Sequence, residues 1–389
     1  MDFRFTREEE DFRQELRDFF QNEIELVKKA RHETDIGIGW GPYTWELVHK
    51  LGAKGYLTPH WPKKYGGLEK SYMERQILLD EMQYYAGTSG FGIGTGLAGP
   101  VIMAAGTEAQ KNSWLPRLAR GEIEFALGYT EPEAGSDLAA LKMRAVRQDD
   151  HYIINGQKVF NTGCHYAQYS WLAVRTDPAA SRHRGISIFI VDLASPGITI
   201  RPMTALGGRR TNEVFYDDVK VPAANLIGEE NKGWYYLMTA LNFERNWSAS
   251  EDLYHFEELL DYVKKEARNG RSIIEDPLIR HDLAQMAIEL EVVRLFGLRI
   301  ATMVSKGVVP TYEASEAKLF GSELRYRMFD RWMRILSFYG QLDADSELAV
   351  QGGEIMQRYF KSIEQVITRG TSDIQRNIIA LQGCGLPRK

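Results

Sequence analysis

Residues 129–137 read Tyr-Thr-Glu-Pro-Glu-Ala-Gly-Ser-Asp, and they are the most informative stretch of the 389-residue chain. A turn-forming proline, two small residues and several hydroxyl and acid groups share one loop. Glycine and alanine let a bound molecule approach the backbone closely, while the polar groups can form hydrogen bonds to that molecule. Taken alone, the stretch fits equally well with a turn that leads into a strand.

Two further segments narrow the interpretation. Residues 160–163 read Phe-Asn-Thr-Gly, and residues 370–376 read Gly-Thr-Ser-Asp-Ile-Gln-Arg. In this order and at these separations, the three segments resemble the flavin-contacting motifs of the acyl-CoA dehydrogenase family, and the resemblance extends over essentially the whole chain. It implies an α+β fold with an N-terminal helical domain, a middle antiparallel β domain and a C-terminal four-helix bundle.

Composition excludes several classes of protein. A net charge of −5 gives no broad basic surface for nucleic acid. Cys164 and Cys384 are too few for a disulfide framework or a cysteine-rich zinc site, and the histidines lack metal-ligand spacing, so no metal is expected. No apolar run is long enough to span a membrane, and the acidic N-terminus does not resemble a targeting signal. We therefore expect a cytoplasmic protein.

Hydrophobic spacing divides the chain into three parts. Residues 1–120 are predicted to be helical, beginning with a capping box at Thr6 and Glu9. Residues 121–232 are predicted to form mostly antiparallel strands, including a hairpin with its turn at Asn155 and Gly156. Residues 233–389 are predicted to form a bundle of four long helices. We place these helices at residues 233–268, 277–306, 312–339 and 346–367.

Residues 94–99 match the G-x-G-x-x-G pattern of dinucleotide-binding loops. That fingerprint needs a buried strand before it and the start of a helix after it. The residues before this match do not have the pattern of such a strand, and Pro100 follows it. We interpret the glycines as positions where helices pack closely.

The resemblance assigns flavin contacts to the first two segments. Thr130 and the backbone of Gly135 and Ser136 are expected at the pyrimidine end of FAD, beside Tyr129, and Ser136 also at the CoA part of the substrate. Phe160 and Thr162 are expected at the flavin face opposite the substrate, where a threonine hydroxyl beside N5 tunes hydride acceptance. Without the resemblance, Phe160 would be interpreted as an inward-facing strand residue.

The resemblance also assigns the phosphate end of the cofactor. Thr371 and Asp373 lie at the start of the last helix, where a hydroxyl can cap the helix and the backbone can receive a pyrophosphate. Arg268 and the turn at Gly340 lie near positions that the family uses to complete the FAD site across a subunit interface.

The catalytic base is the point at which this chain departs from the common family pattern. Arg369 stands where most members carry a glutamate before the Gly-Thr-Ser segment. Some branches carry the base in a Leu-x-x-Glu-Arg context instead, and residues 241–245 read Leu-Asn-Phe-Glu-Arg. Glu244 is therefore the expected base, with Arg245 at the substrate. Apolar residues at helical spacing around Glu244 are expected to desolvate it and raise its pKa. The alternative is a structural ion pair with Arg245 or Arg369.

The function that the resemblance implies is FAD-dependent α,β-dehydrogenation of an acyl-CoA to a 2-enoyl-CoA. Glu244 removes the α-proton, the N–H of Arg369 binds the thioester oxygen, and hydride passes to flavin N5. Expected partners are the acyl-CoA, an electron-transferring flavoprotein, and further subunits in a homotetramer or heterotetramer. Two alternatives remain: a flavin monooxygenase or desulfinase on the same fold, and a non-catalytic FAD-holding subunit of a heterotetramer.

Overall fold

The computed structural model describes residues 3–35, 39–87, 92–244 and 247–387. Its N-terminal part is helical. The helices are Arg7–Asn22 (α1), Ile24–Asp35 (α2), Pro42–Ala53 (α3), Tyr72–Ala86 (α4), Gly99–Ala105 (α5) and Glu108–Ala119 (α6). The predicted capping box is confirmed, because the Glu9 N–H donates to the Thr6 hydroxyl at 3.2 Å and the Thr6 N–H donates to the Glu9 carboxylate at 2.8 Å. Residues Gly94–Ala98 form a π-helix that continues into α5, so they do not form a dinucleotide-binding turn.

The middle part is one sheet. Its strands are Phe125–Gly128 (β1), Arg144–Gln148 (β2), His151–Lys158 (β3), Tyr169–Arg175 (β4), Ile186–Asp192 (β5), Ile198–Thr204 (β6), Arg210–Pro222 (β7) and Leu226–Ile227 (β8). The strand order is β6-β7-β3-β2-β4-β5-β8, with β1 beside β4. The long pairings β3–β7, β6–β7 and β4–β5 are antiparallel, as predicted, whereas β1 runs parallel to β4.

The predicted turn at Asn155 and Gly156 is wrong. Both residues lie inside β3, which pairs with β2 on one side and β7 on the other. Gly156 has φ +145° at a register shift in the β3–β7 pairing, so the glycine accommodates a bulge. The hairpin turn lies instead between β2 and β3, where Asp149 has φ +50°.

The C-terminal part is a helical bundle. Its helices are Gly233–Glu244 (α7), Ser250–Lys265 (α8), Pro277–Ser305 (α9), Tyr312–Leu336 (α10), Glu354–Gln365 (α11) and Ser372–Ile378 (α12). A small hairpin of Ala267–Arg268 (β9) and Arg271–Ser272 (β10) joins α8 to α9. The predicted second and third helices are confirmed as α9 and α10.

Two predicted helices need correction. The helix expected over residues 233–268 is two helices, and the Trp247 carbonyl between them accepts a hydrogen bond from Gln76 of α4 at 3.4 Å. That carbonyl is satisfied by a remote helix, which helical periodicity cannot reveal. The helix expected from residue 346 begins only at Glu354. Gln351 and Gly352 before it have positive φ values of +50° and +61°, and an α-helix cannot include them.

Candidate active site

The loop at residues 129–137 is fixed to the end of β3 by a buried lysine. Lys158 donates to the Tyr129 carbonyl at 3.0 Å and to the Glu131 carboxylate at 2.8 Å. Burial lowers the pKa of Lys158 to about 8, and Glu131 opposes that shift. The Val159 N–H donates to the Thr130 carbonyl at 2.9 Å. The first two predicted flavin segments therefore lie side by side, because Phe160 is the next residue along the chain.

Within this loop the predicted contacts differ in accessibility. The Tyr129 side chain is buried, and its hydroxyl accepts from the Trp171 indole N–H at 3.0 Å, so only its backbone is available to a cofactor. Gly135 and Ser136 are exposed, and a Cβ on Gly135 would meet nothing within 4 Å. The exposed half of the loop is thus open to a bound molecule.

Phe160 is an exposed aromatic residue on strained backbone. Its φ is +57°, which is unusual for a bulky residue, and 62% of its surface is exposed. Asn212 holds the backbone in place, since its amide donates to the Asn161 carbonyl at 3.0 Å and its carbonyl accepts from the Asn161 N–H at 2.9 Å. The interpretation of Phe160 as an inward-facing strand residue is wrong. The Thr162 hydroxyl lies 3.1 Å from the hydroxyl of Thr211 in β7.

The third segment is a hydrogen-bonded loop with left-handed backbone that ends in a helix cap. Arg369 and Gly370 have φ values of +56° and +80°, and Gln375 donates to both of their carbonyls, at 3.0 and 3.3 Å. The Thr371 hydroxyl accepts from the Ile374 N–H at 3.2 Å, so its capping role is confirmed. Asp373 in the first turn of α12 is exposed.

Trp247, which lies between α7 and α8, packs beside the Arg369 loop. Trp247 is buried, and the Arg369 guanidinium lies over its indole ring at 5.5 Å from the centroid. Glu244 is the last residue of α7, but its side chain, like the whole of Arg245, lies outside the described residues. Glu244, the proposed base, therefore lies three residues before Trp247 in the sequence, and the Trp247 indole contacts Arg369.

The predicted interface residues meet at one end of the bundle. The Arg268 guanidinium, on the β9–β10 hairpin, donates to the Ile335 carbonyl near the end of α10. Gly340 is buried in the following 3₁₀ turn, Ser337–Gln341. Beside it, Phe338 is 81% exposed. Arg268 and Gly340 are thus brought together next to a large exposed aromatic ring.

Sequence reasoning missed one buried acid. Glu124 is 2% exposed and accepts N–H hydrogen bonds from Gly94, at 2.6 Å, and Phe125, at 2.7 Å. Burial raises its pKa to about 7, although both hydrogen bonds act in the opposite direction. A Cβ on Gly92 would lie 1.5 Å from the carboxylate, so only glycine leaves room for it. A single acid within the apolar run Ile-Glu-Phe-Ala-Leu at residues 123–127 was the available signal.

The described residues offer neither a membrane-spanning helix nor a metal site. No helix in the described ranges is long and apolar enough to cross a membrane. No group of three or more histidine, cysteine or acidic side chains in the same ranges could hold a metal ion.

Comparison with known proteins agrees along the whole chain. Family models for the N-terminal, middle and C-terminal domains of acyl-CoA dehydrogenases match residues 6–122, 126–219 and 231–383. The chain is 35% identical to acyl-CoA dehydrogenase FadE26 of Mycobacterium tuberculosis, over 99% of this chain and 98% of that protein.

Solved structures give the same result. A structure described as the Tcur3481-Tcur3483 steroid ACAD is 34% identical with a TM-score of 0.90, and 100% of both chains is covered. The ChsE4-ChsE5 complex from Mycobacterium tuberculosis is 34% identical with a TM-score of 0.89 and the same coverage. This chain belongs to the acyl-CoA dehydrogenase family, flavoprotein oxidoreductases that act on the CH–CH bond of acyl-CoA thioesters.

Proposed function

We propose that this chain binds FAD and uses Glu244 as the base that starts dehydrogenation of an acyl-CoA. The observation that carries the proposal is Phe160. Its strained backbone presents a large, mostly exposed ring, directly after Val159, which bonds to the Thr130 carbonyl, and two residues before Thr162. A flat ring system packed against Phe160 would cover that apolar surface, while Thr130 and Thr162 offer hydrogen bonds at its edge.

The remaining candidate contacts suit the rest of FAD. Gly135 and Ser136 offer open backbone, the start of α12 offers N–H groups around Thr371, and Arg268 supplies a cation. Tyr129 would contribute through its backbone alone. When bound, FAD supplies the acceptor for the hydride that leaves the β-carbon.

The protein's own part in the reaction is proton removal and charge stabilisation. We assign α-proton removal to Glu244, with Arg245 beside it at the substrate. The Arg369 N–H would bind the thioester oxygen, where negative charge develops. The left-handed backbone at Arg369 and Gly370, fixed by Gln375, supports this role because a donor that is already oriented needs no reorganisation.

Similarity to two solved structures supports a class of substrate and a mode of assembly. One solved relative is described as a steroid ACAD, and another is a complex of two named chains. We therefore propose an acyl group bulkier than a short straight chain, and a tetramer whose FAD sites are completed across an interface near Arg268 and Gly340. Electrons would pass to an electron-transferring flavoprotein, and the cytoplasm is the proposed compartment.

An anaerobic flavin-bleaching screen tests the proposal. The purified protein should be yellow and release FAD, not FMN, on heating. Straight-chain, dicarboxylyl and steroid-side-chain CoA thioesters are then added without NADH. Rapid loss of flavin absorbance with one of them supports dehydrogenation. Oxygen consumption that needs external reduced flavin would point to the monooxygenase alternative.

A second candidate is an FAD-holding subunit that is active only with a different partner chain. Arg369 in place of the common glutamate favours it, as does similarity to the ChsE4-ChsE5 complex. In that case the isolated chain holds FAD without bleaching, and activity returns when the partner is added. Bleaching by the isolated homo-oligomer contradicts this candidate.

A further inference from the structure

Lys318 is a buried amine without a hydrogen-bond partner in the described part of the chain. It lies on α10, its residue is 1% exposed, and its Nζ makes no hydrogen bond there. Lys158 provides the contrast, because it is equally buried but bonds to a carbonyl and a carboxylate. Buried charges are ordinarily paired in this second way.

The neighbours of Lys318 make the site more cationic. Burial and the nearby Arg369 lower the pKa of Lys318 to about 8, while Glu323 on the same helix opposes the shift. Glu323 is itself bound by Arg376 of α12 at 2.6 Å, so little of its charge is available to the amine. Within the described residues, Arg369 of the neighbouring loop and Glu323 of α10 itself are the charged groups that shift the pKa of Lys318.

A second donor without a partner lies one helical turn from Lys318. The Trp247 indole N–H is buried and bonds to no described residue. A Cβ on Gly321 would lie 2.3 Å from that nitrogen, so the indole edge rests directly on α10. The Arg369 guanidinium lies over the same indole ring. Two buried donors that lack an acceptor among the described residues therefore lie near the same arginine.

We propose that Lys318, the Trp247 N–H and Arg369 form a pocket that binds a carboxylate beside the reaction centre. The inference rests on the proposed function, which places the reaction at the end of α7. The carboxylate has two possible sources: Glu244, three residues before Trp247, or an acidic group on the acyl chain. In either case the anion satisfies two donors that are otherwise buried without partners.

Kinetics with Lys318→Met separate the two sources. Lys265→Met is the control, because Lys265 is an exposed lysine of the same bundle that pairs with Asp261. If Glu244 occupies the pocket, Lys318→Met raises the apparent pKa of the flavin-reduction rate measured with an uncharged acyl-CoA. If the substrate supplies the anion, that pKa is unchanged and affinity for an ω-carboxyacyl-CoA falls roughly tenfold or more.

Calorimetry tests the pocket without turnover. A carboxylate placed beside Lys318 raises the amine's pKa, so binding of an ω-carboxyacyl-CoA to the wild type at pH 8–9 should take up protons. Proton uptake is obtained from the binding heat in buffers with different ionisation enthalpies. Lys318→Met should abolish the uptake, and Lys265→Met should keep it.

If Glu244 is the source, Glu244→Gln gives a second readout that does not depend on activity. The Glu244→Gln substitution removes the carboxylate beside the Lys318 amine, so the folded-state pKa of Lys318 falls below its unfolded value. Stability of the variant, relative to wild type, should then rise between about pH 8 and pH 10.5, because the unfolded state holds more protons there.

The proposal and the proposed function can fail separately. If no acyl-CoA bleaches the flavin but proton uptake depends on Lys318, the pocket is supported and the proposed reaction is wrong. A bleaching enzyme whose Lys318→Met variant has unchanged rate–pH profile, affinity and proton uptake, with no Glu244-dependent stability change, has no such pocket. If Lys318→Met does not fold, Trp247→Phe removes one donor and keeps the ring, and the same measurements apply.

Discussion

Replacing Glu124 by glutamine tests whether a carboxyl group is kept protonated beside the π-helix at physiological pH. Burial raises the pKa of Glu124 from 4.5 to about 7. Between those values the folded protein keeps a proton that the unfolded chain releases, so the free energy of unfolding falls as pH rises. The difference corresponds to about 3 kcal/mol at about 1.36 kcal/mol per pKa unit. Glutamine does not titrate, so the variant should lack this loss.

The measurement is the melting temperature of the flavin-loaded protein at a fixed scan rate between pH 4.5 and 8. Unfolding entropy of about 2.1 cal/mol/K per residue over 389 residues turns 3 kcal/mol into roughly 4 °C. The melting temperature of Glu124→Gln minus that of wild type should rise by about this amount across the interval and stay level above pH 8. Any packing defect from the amide shifts the whole difference curve and leaves its slope unchanged.

Glu122→Gln is the matched control. Glu122 lies two residues away, is exposed and pairs with Arg120 at 2.6 Å, which lowers its pKa. Its stabilising effect is present above its unfolded pKa, so its difference curve should be flat above about pH 5. A flat curve for Glu124→Gln as well, or one that falls with rising pH, would mean that the Gly94 and Phe125 N–H groups keep the carboxylate ionised, and would refute the reasoning.

Three further predictions concern the proposed reaction and cofactor site. Glu244→Gln should retain FAD but lose roughly 10²- to 10⁴-fold of the flavin-reduction rate in anaerobic stopped flow; a loss of only a few-fold moves the base elsewhere. Arg369→Ala should raise the apparent pKa of the rate–pH profile if the guanidinium stabilises the Glu244 carboxylate, or weaken binding of an acidic substrate at unchanged pKa. If neither change is observed, the Arg369 side chain points into solvent. Arg268→Ala should lower the FAD retained after desalting while light scattering still shows a tetramer, and full retention would exclude Arg268 from the cofactor site.

The architecture was predictable because its signals are local or repeated. The Thr6 capping box and the start of α9 at Pro277, directly after its cap Asp276, each depend on residues a few positions apart. Together with the three motif segments they identified the α+β fold correctly. The interpretation of residues 94–99 as packing glycines is also confirmed, because they are helical and a Cβ on Gly94 or Gly99 would lie within 2.4 Å of Leu118 or Trp61. It could be made from sequence because Pro100 and the absence of strand character are local features.

The errors arose where a distant segment decides the outcome. Asn155 and Gly156 have the composition of a tight turn, but pairing with β7, more than fifty residues later, keeps them in a strand. In the break between α7 and α8, the Trp247 carbonyl accepts a hydrogen bond from Gln76 of α4. Neither partner can be identified from a window of neighbouring residues.

Whether a buried lysine has a partner also depends on distant segments. Lys158 and Lys318 are each followed by two large apolar residues, and both are buried in the fold. Their difference depends on remote partners: Glu131 reaches Lys158 from a different loop, whereas no described acceptor reaches Lys318. Sequence can therefore identify a lysine that is expensive to bury, but the structure is needed to distinguish a satisfied ion pair from an open binding pocket.

The strained backbone at Phe160 and Arg369 and the buried amine of Lys318 are linked by a chain of contacts. Thr162, two residues after the strained Phe160, contacts Thr211 of β7, and Arg209 just before β7 pairs with Glu364 of α11 at 2.9 Å. From α11 the chain enters the strained Arg369 loop, which faces Trp247 and Lys318. Strained backbone and a buried cation without a partner each cost folding free energy, and here they lie along one connected set of contacts. A free-energy cost concentrated in this way is expected where binding of a ligand recovers it, which is why we assign the reaction to this side of the molecule.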